Sequence, residues 1–298
     1  MPTRRHATAL LACGLALLTA GPAQAQDYPA KPITLVVGYP PGGSTDLMGR
    51  LVGGELSTRL GQPVVIENLG GAGGTIGAQK VASAAPDGYT LLVGANNELA
   101  IAKLVTKTVK YDPASFTPIG LIGSQPMVLV AATSTGVKNA SDFTQLVKKN
   151  PGKFSYGSSG VGTALHLAGE MVKEQAGLFM THIPYRGVAP LTNDLVGNNL
   201  EFGVFVLSSG LPHIKSGKVV ALGTTAAKRA PATPDIPALA ELPQFKNVDI
   251  ESWFALVGPA NLPQPVVAKL KKALNDTLQS PDFRKKMAAA GSGVAAPD

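Results

Sequence analysis
An apolar run, Ile33-Thr34-Leu35-Val36-Val37, stops abruptly at Gly38-Tyr39-Pro40-Pro41-Gly42-Gly43. Apolar residues at helical spacing come next, at Leu47, Met48, Leu51, Leu56 and Leu60. Two prolines and three glycines within six residues cannot lie inside a helix or a strand. The order is therefore buried strand, tight loop, amphipathic helix. It constrains the rest of the chain, because a strand that leaves its sheet through a helix is rejoined by a parallel neighbour.

The pattern repeats. Gly61 stops the helix, and residues 63–66 read as a second strand. The glycine-rich turn 70–74 leads into a helix over 76–84, and residues 90–93 form a third strand after Pro86-Asp87-Gly88. This β-α-β-α-β order predicts a parallel sheet with helices on its faces. The theme returns beyond Ile119. Strands are expected over 127–132, 154–156, 181–183, 202–207, 218–223 and 250–257, and helices over 141–149, 164–175, 189–196, 265–278 and 282–290. Ser280 caps the last helix, with Pro281 at its first position. Residues 228–243, rich in proline and alanine, read as a surface strap. Two such sheets predict an α/β protein of two lobes.

Two loops stand out chemically. Pro40-Pro41-Gly42-Gly43-Ser44-Thr45-Asp46 joins the carboxyl end of a strand to a helix N-terminus, the edge where ligands bind in open parallel sheets. The first helical N–H groups lack internal partners and carry the positive end of the dipole. Ser158-Ser159-Gly160-Val161-Gly162-Thr163 holds the same position in the second lobe. Two such nests facing one cleft could hold a dicarboxylate.

The N-terminus reads as an export signal. Arg4, Arg5 and His6 precede an apolar stretch over 7–20, too short to span a bilayer, and Ala23-Gln24-Ala25 is a cleavage site. The mature chain is expected to begin at Gln26, outside the cytoplasmic membrane. Leu10-Leu11-Ala12-Cys13 is not read as a lipoprotein box, because the apolar run continues through Leu18. Cleavage removes Cys13, the only cysteine, so burial alone must hold the domain together. A chain of about 270 residues buries roughly three quarters of its unfolded surface, which suffices.

Without Arg4 and Arg5 the chain carries 24 basic against 19 acidic residues, with no basic block and no basic stripe among aromatics. That excludes a nucleic-acid reader and leaves a weak pull on anions. No G-K-[ST] is present. Gly71-Ala72-Gly73-Gly74-Thr75-Ile76 misses the dinucleotide spacing at Ile76, and Gly157-Ser158-Ser159-Gly160-Val161 misses the nucleophile elbow at Val161. His166, His182 and His213 have no metal-ligand spacing. Neither a metal nor a cofactor is expected.

Tyr39-Pro40-Pro41-Gly42-Gly43-Ser44-Thr45-Asp46 resembles the first loop of the tripartite tricarboxylate transporter receptors, the Bug family. Gly61-Gln62-Pro63-Val64-Val65-Ile66-Glu67-Asn68, Gly71-Ala72-Gly73-Gly74-Thr75-Ile76-Gly77, Pro86-Asp87-Gly88-Tyr89-Thr90-Leu91-Leu92 and Asn150-Pro151-Gly152-Lys153 resemble further segments of that family. The second nest with His166-Leu167-Ala168-Gly169-Glu170, Pro184-Tyr185-Arg186-Gly187, Pro212-His213-Ile214-Lys215-Ser216-Gly217-Lys218 and Pro234-Asp235-Ile236-Pro237 complete the series. Nine motifs in order, from about Tyr28 to Pro297, make the likeness specific.

The resemblance implies a type II periplasmic-binding-protein fold, with lobe one over residues 26–124, lobe two over 125–248 and a return to lobe one over 249–298. It implies no catalysis. It implies a small carboxylate ligand, delivery by a monomeric receptor to a tripartite transporter or a sensor domain, and binding through backbone amides and bridging waters. Ligand contact carries over to Gly42, Gly43, Ser44, Ser158, Ser159, Gly160 and Thr163, and secondarily to Tyr39, Asn96, Phe205 and Val206. Many members have Phe-Asp where this chain has Phe205-Val206, so a carboxylate for a ligand ammonium is missing. The expected ligand is an acid without an amine. Family chains usually continue beyond the equivalent of Asp298 into a further helix, so marginal folding or a compensating partner is expected here. The rivals are an exported hydrolase using Ser159 and His166, and a truncated, non-functional member.

Overall fold
The structure is a computed structural model, and it describes residues 28–297. The expected signal segment and its cleavage site lie outside the described residues.

Strand β1 (Ile33–Val37) is followed by helix α1 (Ser44–Leu60), β2 (Val64–Asn68), α2 (Thr75–Ala82) and β3 (Thr90–Ala95). β1 pairs in parallel with both β2 and β3. α1 contains small residues on its buried face. A Cβ on Gly49 would lie 2.7 Å from Val37 Cγ2, and one on Gly53 2.9 Å from Ile66 Cδ1, so only glycine lets the helix lie this close to the sheet. A π-helical turn (Asn97–Ile101) leaves β3 and runs into a short helical turn (Ala102–Val105).

β4 (Phe116–Ala132) joins the two lobes. Its first part pairs antiparallel with β9 (Glu251–Pro259), which also pairs with β3. From Met127 onward it pairs with β7 (Phe202–Val206) and β8 (Val219–Thr224). The second sheet is completed by β5 (Ser155–Ser158), parallel to β7 and to β6 (Thr181–Pro184). Around it lie α3 (Ala140–Lys149), α4 (Ala164–Ala176), α5 (Val188–Val196) and α6 (Leu207–Lys215), while α7 (Gln264–Gln279) packs on α1 and β4 and is followed by α8 (Pro281–Ala289).

The strand expected over 127–132 is preceded by Pro118, Gly120, Gly123 and Pro126, residues that oppose a strand interior. The strand instead starts at Phe116, absorbs Pro118, Gly120 and Gly123 at two register shifts against β9, and pairs Pro126 in register with Glu251. α6 was not expected, since Gly210 and Pro212 both oppose a helix. The strap at 228–243 also departs from a plain surface loop, because Ile236, Ala238 and Leu239 are buried.

Each sheet is covered on both faces. In lobe one, Leu35, Leu91 and Leu256 belong to one apolar cluster and Val36, Leu92 and Val257 to another, as strand alternation requires. α4 shows the helical equivalent, with Leu165, Ala168, Val172 and Ala176 buried on one stripe. Fully burying a side chain of this type stabilises by about 1.5–3 kcal/mol.

The two crossings between lobes are pinned together by Thr225. Its N–H donates to Met127 O at 2.9 Å, and its Oγ1 accepts from Met127 N–H at 3.0 Å. Its carbonyl accepts from Ile250 N–H at 2.9 Å, and its hydroxyl donates to Ile250 O at 2.7 Å. β4 and the returning chain thus form one hinge.

Candidate functional site
The first loop is shaped by a buried carboxylate. Asp46 Oδ2 accepts from Gly42 N–H at 2.9 Å and Arg50 Nε at 3.0 Å, and its Oδ1 accepts from Asn68 Nδ2 at 2.9 Å. Asn68 Nδ2 also donates to Tyr39 O at 3.0 Å, tying the loop to the end of β2. Gly42 has φ +90°, a conformation that favours glycine. Burial alone would raise the Asp46 carboxyl, but the bonds from Arg50, Gly42 and Asn68 outweigh it and hold it below the usual value.

Gly43 caps α1 without a side chain, so the amides of Ser44 and Thr45 have no partner among the described residues. Across the cleft, Thr163 caps α4, its Oγ1 accepting from His166 N–H at 3.3 Å. The α4 amide of Leu165 has no partner among the described residues. Gly187, at φ +115°, caps α5 without a side chain and leaves the amides of Val188 and Ala189. Gly43, Ser44, Thr45, Leu165, Val188 and Ala189 all line one inner cavity of about 30 Å³, together with Tyr39, Ser159 and Val206. Three helix N-termini thus converge on a space whose lining contains no carboxylate, an arrangement that favours an anion.

A wider cavity of about 350 Å³ adjoins it and shares Tyr39, Pro40 and Ser159. Gly71 to Gly74 line it from lobe one, and Gly160, Tyr185 and Arg186 from lobe two. Arg186 supplies a cation at this mouth. The lobes touch here. A Cβ on Gly162 would lie 2.6 Å from Val105 Cγ2, and one on Gly187 3.2 Å from Pro40 Cδ, so the conformation is closed.

Among the residues expected to touch a ligand, Tyr39, Gly43, Ser44, Ser159 and Val206 are brought to the inner cavity and Gly160 to the outer one. The others are not in either lining. The Gly42 amide is bonded to Asp46. Asn96 donates to Glu251 O at 3.1 Å and accepts from Ser252 Oγ at 3.4 Å. Ser158 is fully buried, its Oγ 2.7 Å from His182 Nε2. Thr163 caps α4 and donates to Gly160 O at 2.8 Å. Phe205 is fully buried in the core of lobe two, because strand alternation turns Val206 rather than its neighbour toward the cleft.

Thr45, Leu165, Val188 and Ala189 were not anticipated. Arg186-Gly187 after β6 was the available signal, a third strand-to-helix loop with a glycine cap. Ser159 and His166 do not form a catalytic pair. Ser159 Oγ donates to Thr163 Oγ1 at 3.3 Å, and His166 Nδ1 accepts from Gly162 N–H at 3.1 Å. The Ser–His contact present is Ser158 with His182, whose ring stacks on His166 at 4.0 Å. Burial first, and the neighbouring His166 second, depress His182 to about 4, so the pair is a neutral brace under the loop.

Residues 48–298 match the model of the tripartite tricarboxylate transporter family receptors. The Bordetella pertussis protein BugT is 34% identical over 98% of this chain and 91% of its own. A Rhodopseudomonas palustris structure described as Rpa4515 with adipate superposes with TM-score 0.88 at 32% identity, covering 91% of this chain and 90% of that one. MatC of the same organism, with bound malate, superposes at 0.84 and 31% identity, covering 91% and 92%. With three amide-lined helix ends around an interlobe cleft and a family match over most of its length, the chain belongs to the tripartite tricarboxylate transporter receptor family.

Proposed function
We propose that this protein is a periplasmic receptor that closes its two lobes over a small organic dicarboxylate and delivers it to the membrane subunits of a tripartite transporter. The convergence of the α1, α4 and α5 N-termini on one cavity carries this reading. One carboxylate would accept from unpaired amides on opposite lobes in the inner cavity, with the rest of the acid in the adjoining wider one, and that bridging makes the closed state the tighter binder. The related structures holding adipate and malate support the ligand class. The contact residues follow from the lining: Tyr39, Gly43, Ser44, Thr45, Ser159, Leu165, Val188, Ala189 and Val206. Val206 stands where a carboxylate would be needed to pair an ammonium, so acids without an amine are favoured. The lobes are taken to divide where β4 changes partners, between Pro126 and Met127, and to rejoin at β9.

A thermal-shift and calorimetric comparison of malate, adipate, aspartate and glutamate tests this. A dicarboxylate at 100 times its dissociation constant stabilises by about 2.7 kcal/mol. Absence of a shift with every organic acid would reject the receptor reading. Tighter binding of glutamate or aspartate than of the non-amino acids would reject the amine-free preference. A hydrolase reading finds no support in the separated Ser159 and His166.

A further inference from the structure
We infer that Asn97 is a positioning residue of the carboxylate site: from lobe one it reaches across the cleft and occupies the first amide of α4 in lobe two. The inference rests on the receptor reading and refines what a ligand meets there.

The contact is direct and buried. Asn97 Oδ1 accepts from Ala164 N–H at 2.5 Å, and Asn97 is 8% exposed. Beyond its cap Thr163, whose own N–H donates to Gly160 O at 3.4 Å, the α4 terminus has three amides to satisfy before its helical bonds begin. That of His166 is taken by Thr163 and that of Ala164 by Asn97. Only the Leu165 amide stays open toward the inner cavity. A carboxylate oxygen therefore meets one amide of α4, and its remaining donors come from α1 and α5.

The side chain is oriented by a relay within lobe one. Asn97 Nδ2 donates to Tyr39 Oη at 2.8 Å, so a flipped amide would set an N–H donor against Ala164 N–H. Tyr39 Oη also lies 2.9 Å from Gly73 O and 2.8 Å from Glu98 Oε2. A hydroxyl has one proton. An ionised Glu98 and the Gly73 carbonyl would compete for it. With the proton on Glu98 Oε2, Glu98 donates to Tyr39, Tyr39 donates to Gly73 O, and every partner is satisfied. Glu98 Oε1 is free to be the unprotonated oxygen, since it accepts from Ala95 N–H at 2.7 Å. The groups packed around Glu98 are Tyr39, Gly74 and Tyr111, whose hydroxyl donates to Glu98 O at 2.9 Å, and none is charged. Burial pushes the carboxyl up to about 7, against the opposing bonds from Ala95 and Tyr39. Glu98 and Tyr39 are positioning residues. Opening the cleft withdraws Ala164 from Asn97 and Thr163 from Gly73, the two partners of Tyr39 that face lobe two, and admits water to the Tyr39 end of the relay, so closure favours the protonated form.

The test measures malate and adipate affinity of the parent, Asn97→Ala, Asn97→Asp and Glu98→Gln proteins by calorimetry from pH 5.5 to 8.5. Asn97→Asp still caps α4 but places a negative charge on the Ala164 amide, next to the Leu165 amide that faces the anion site. It should bind at least about tenfold more weakly than Asn97→Ala while melting no lower without ligand. Parent affinity should fall as pH rises through about 7, and Glu98→Gln, whose amide mimics the protonated acid, should be flat. Equal affinities of the two Asn97 variants, or coincident pH profiles of parent and Glu98→Gln, would overturn the inference. A parent that binds neither acid would overturn the receptor reading instead, so the two failures are distinguishable.

Discussion

Replacing Asp46 by asparagine tests whether the first loop is held by the charge beneath it. Asp46 is 4% exposed and accepts three hydrogen bonds, from Gly42 and Arg50 on one oxygen and Asn68 on the other. An asparagine has one oxygen. Whichever way its amide turns, its NH₂ faces either Asn68 Nδ2 or the pair Gly42 N–H and Arg50 Nε, donor against donor. Arg50 is half exposed and can turn to water, so the firm loss is one buried bond to the carboxylate, about 2–3 kcal/mol. For a chain of about 270 residues that lowers the melting temperature by roughly 4–6 °C. Arg50→Ala, which removes only the exposed partner, should cost less than about 1 kcal/mol. Scanning calorimetry of the ligand-free proteins at pH 7 measures both. The acid limb adds a second readout. The Asp46 carboxyl lies below its ordinary 3.8, so its contribution is present above that pH and lost as pH falls through the depressed folded value. Asp46→Asn should flatten this limb. A variant melting within about 1 °C of the parent, with a parallel acid limb, would refute the reasoning.

Two further outcomes are expected. Glu98 is raised from 4.5 to about 7, so its contribution is complete below the unfolded value and is lost as pH climbs to about 7. Denaturant unfolding should show about 3 kcal/mol of stability lost across that window, and Glu98→Gln should remove the slope. Gly162→Ala puts a Cβ 2.6 Å from Val105 Cγ2 across the cleft, at φ +75°. It should cost about 1–2 kcal/mol in ligand-free stability and weaken malate binding about tenfold. Gly54→Ala, with open space around its Cβ, should instead stabilise by up to about 1 kcal/mol and leave binding unchanged. Calorimetry showing equal binding in both would contradict the closed geometry.

Much of the fold was legible because it rests on local periodicity. β1 matches its expected residues, and the caps at Gly61 and Ser280 follow from residue chemistry at the helix ends. What stayed hidden depends on tertiary pairing. The first half of β4 looks unlike a strand until β9 supplies the partner that holds its prolines and glycines in register. α6 carries Pro212 inside it, against its own propensity, because Leu207, Gly210 and Leu211 are buried against lobe two. The anion loops were visible as glycine clusters. Which amides they leave free was not, since that depends on Asp46 taking Gly42 and on Asn97 taking Ala164 from the other lobe. Nothing in Asn96-Asn97-Glu98 announces a relay until Tyr39 is seen beside it.

The hinge has an energetic consequence. β4 runs unbroken through both sheets, and Thr225 fastens the return chain to it at both neighbours. Bending there leaves these backbone ladders intact, so the difference between wide and shut forms falls on the few contacts at the lips. Where only the lip contacts differ, a weak push shifts the populations. A guest the size of a metabolite, touching a handful of amides, has enough leverage to tip the balance.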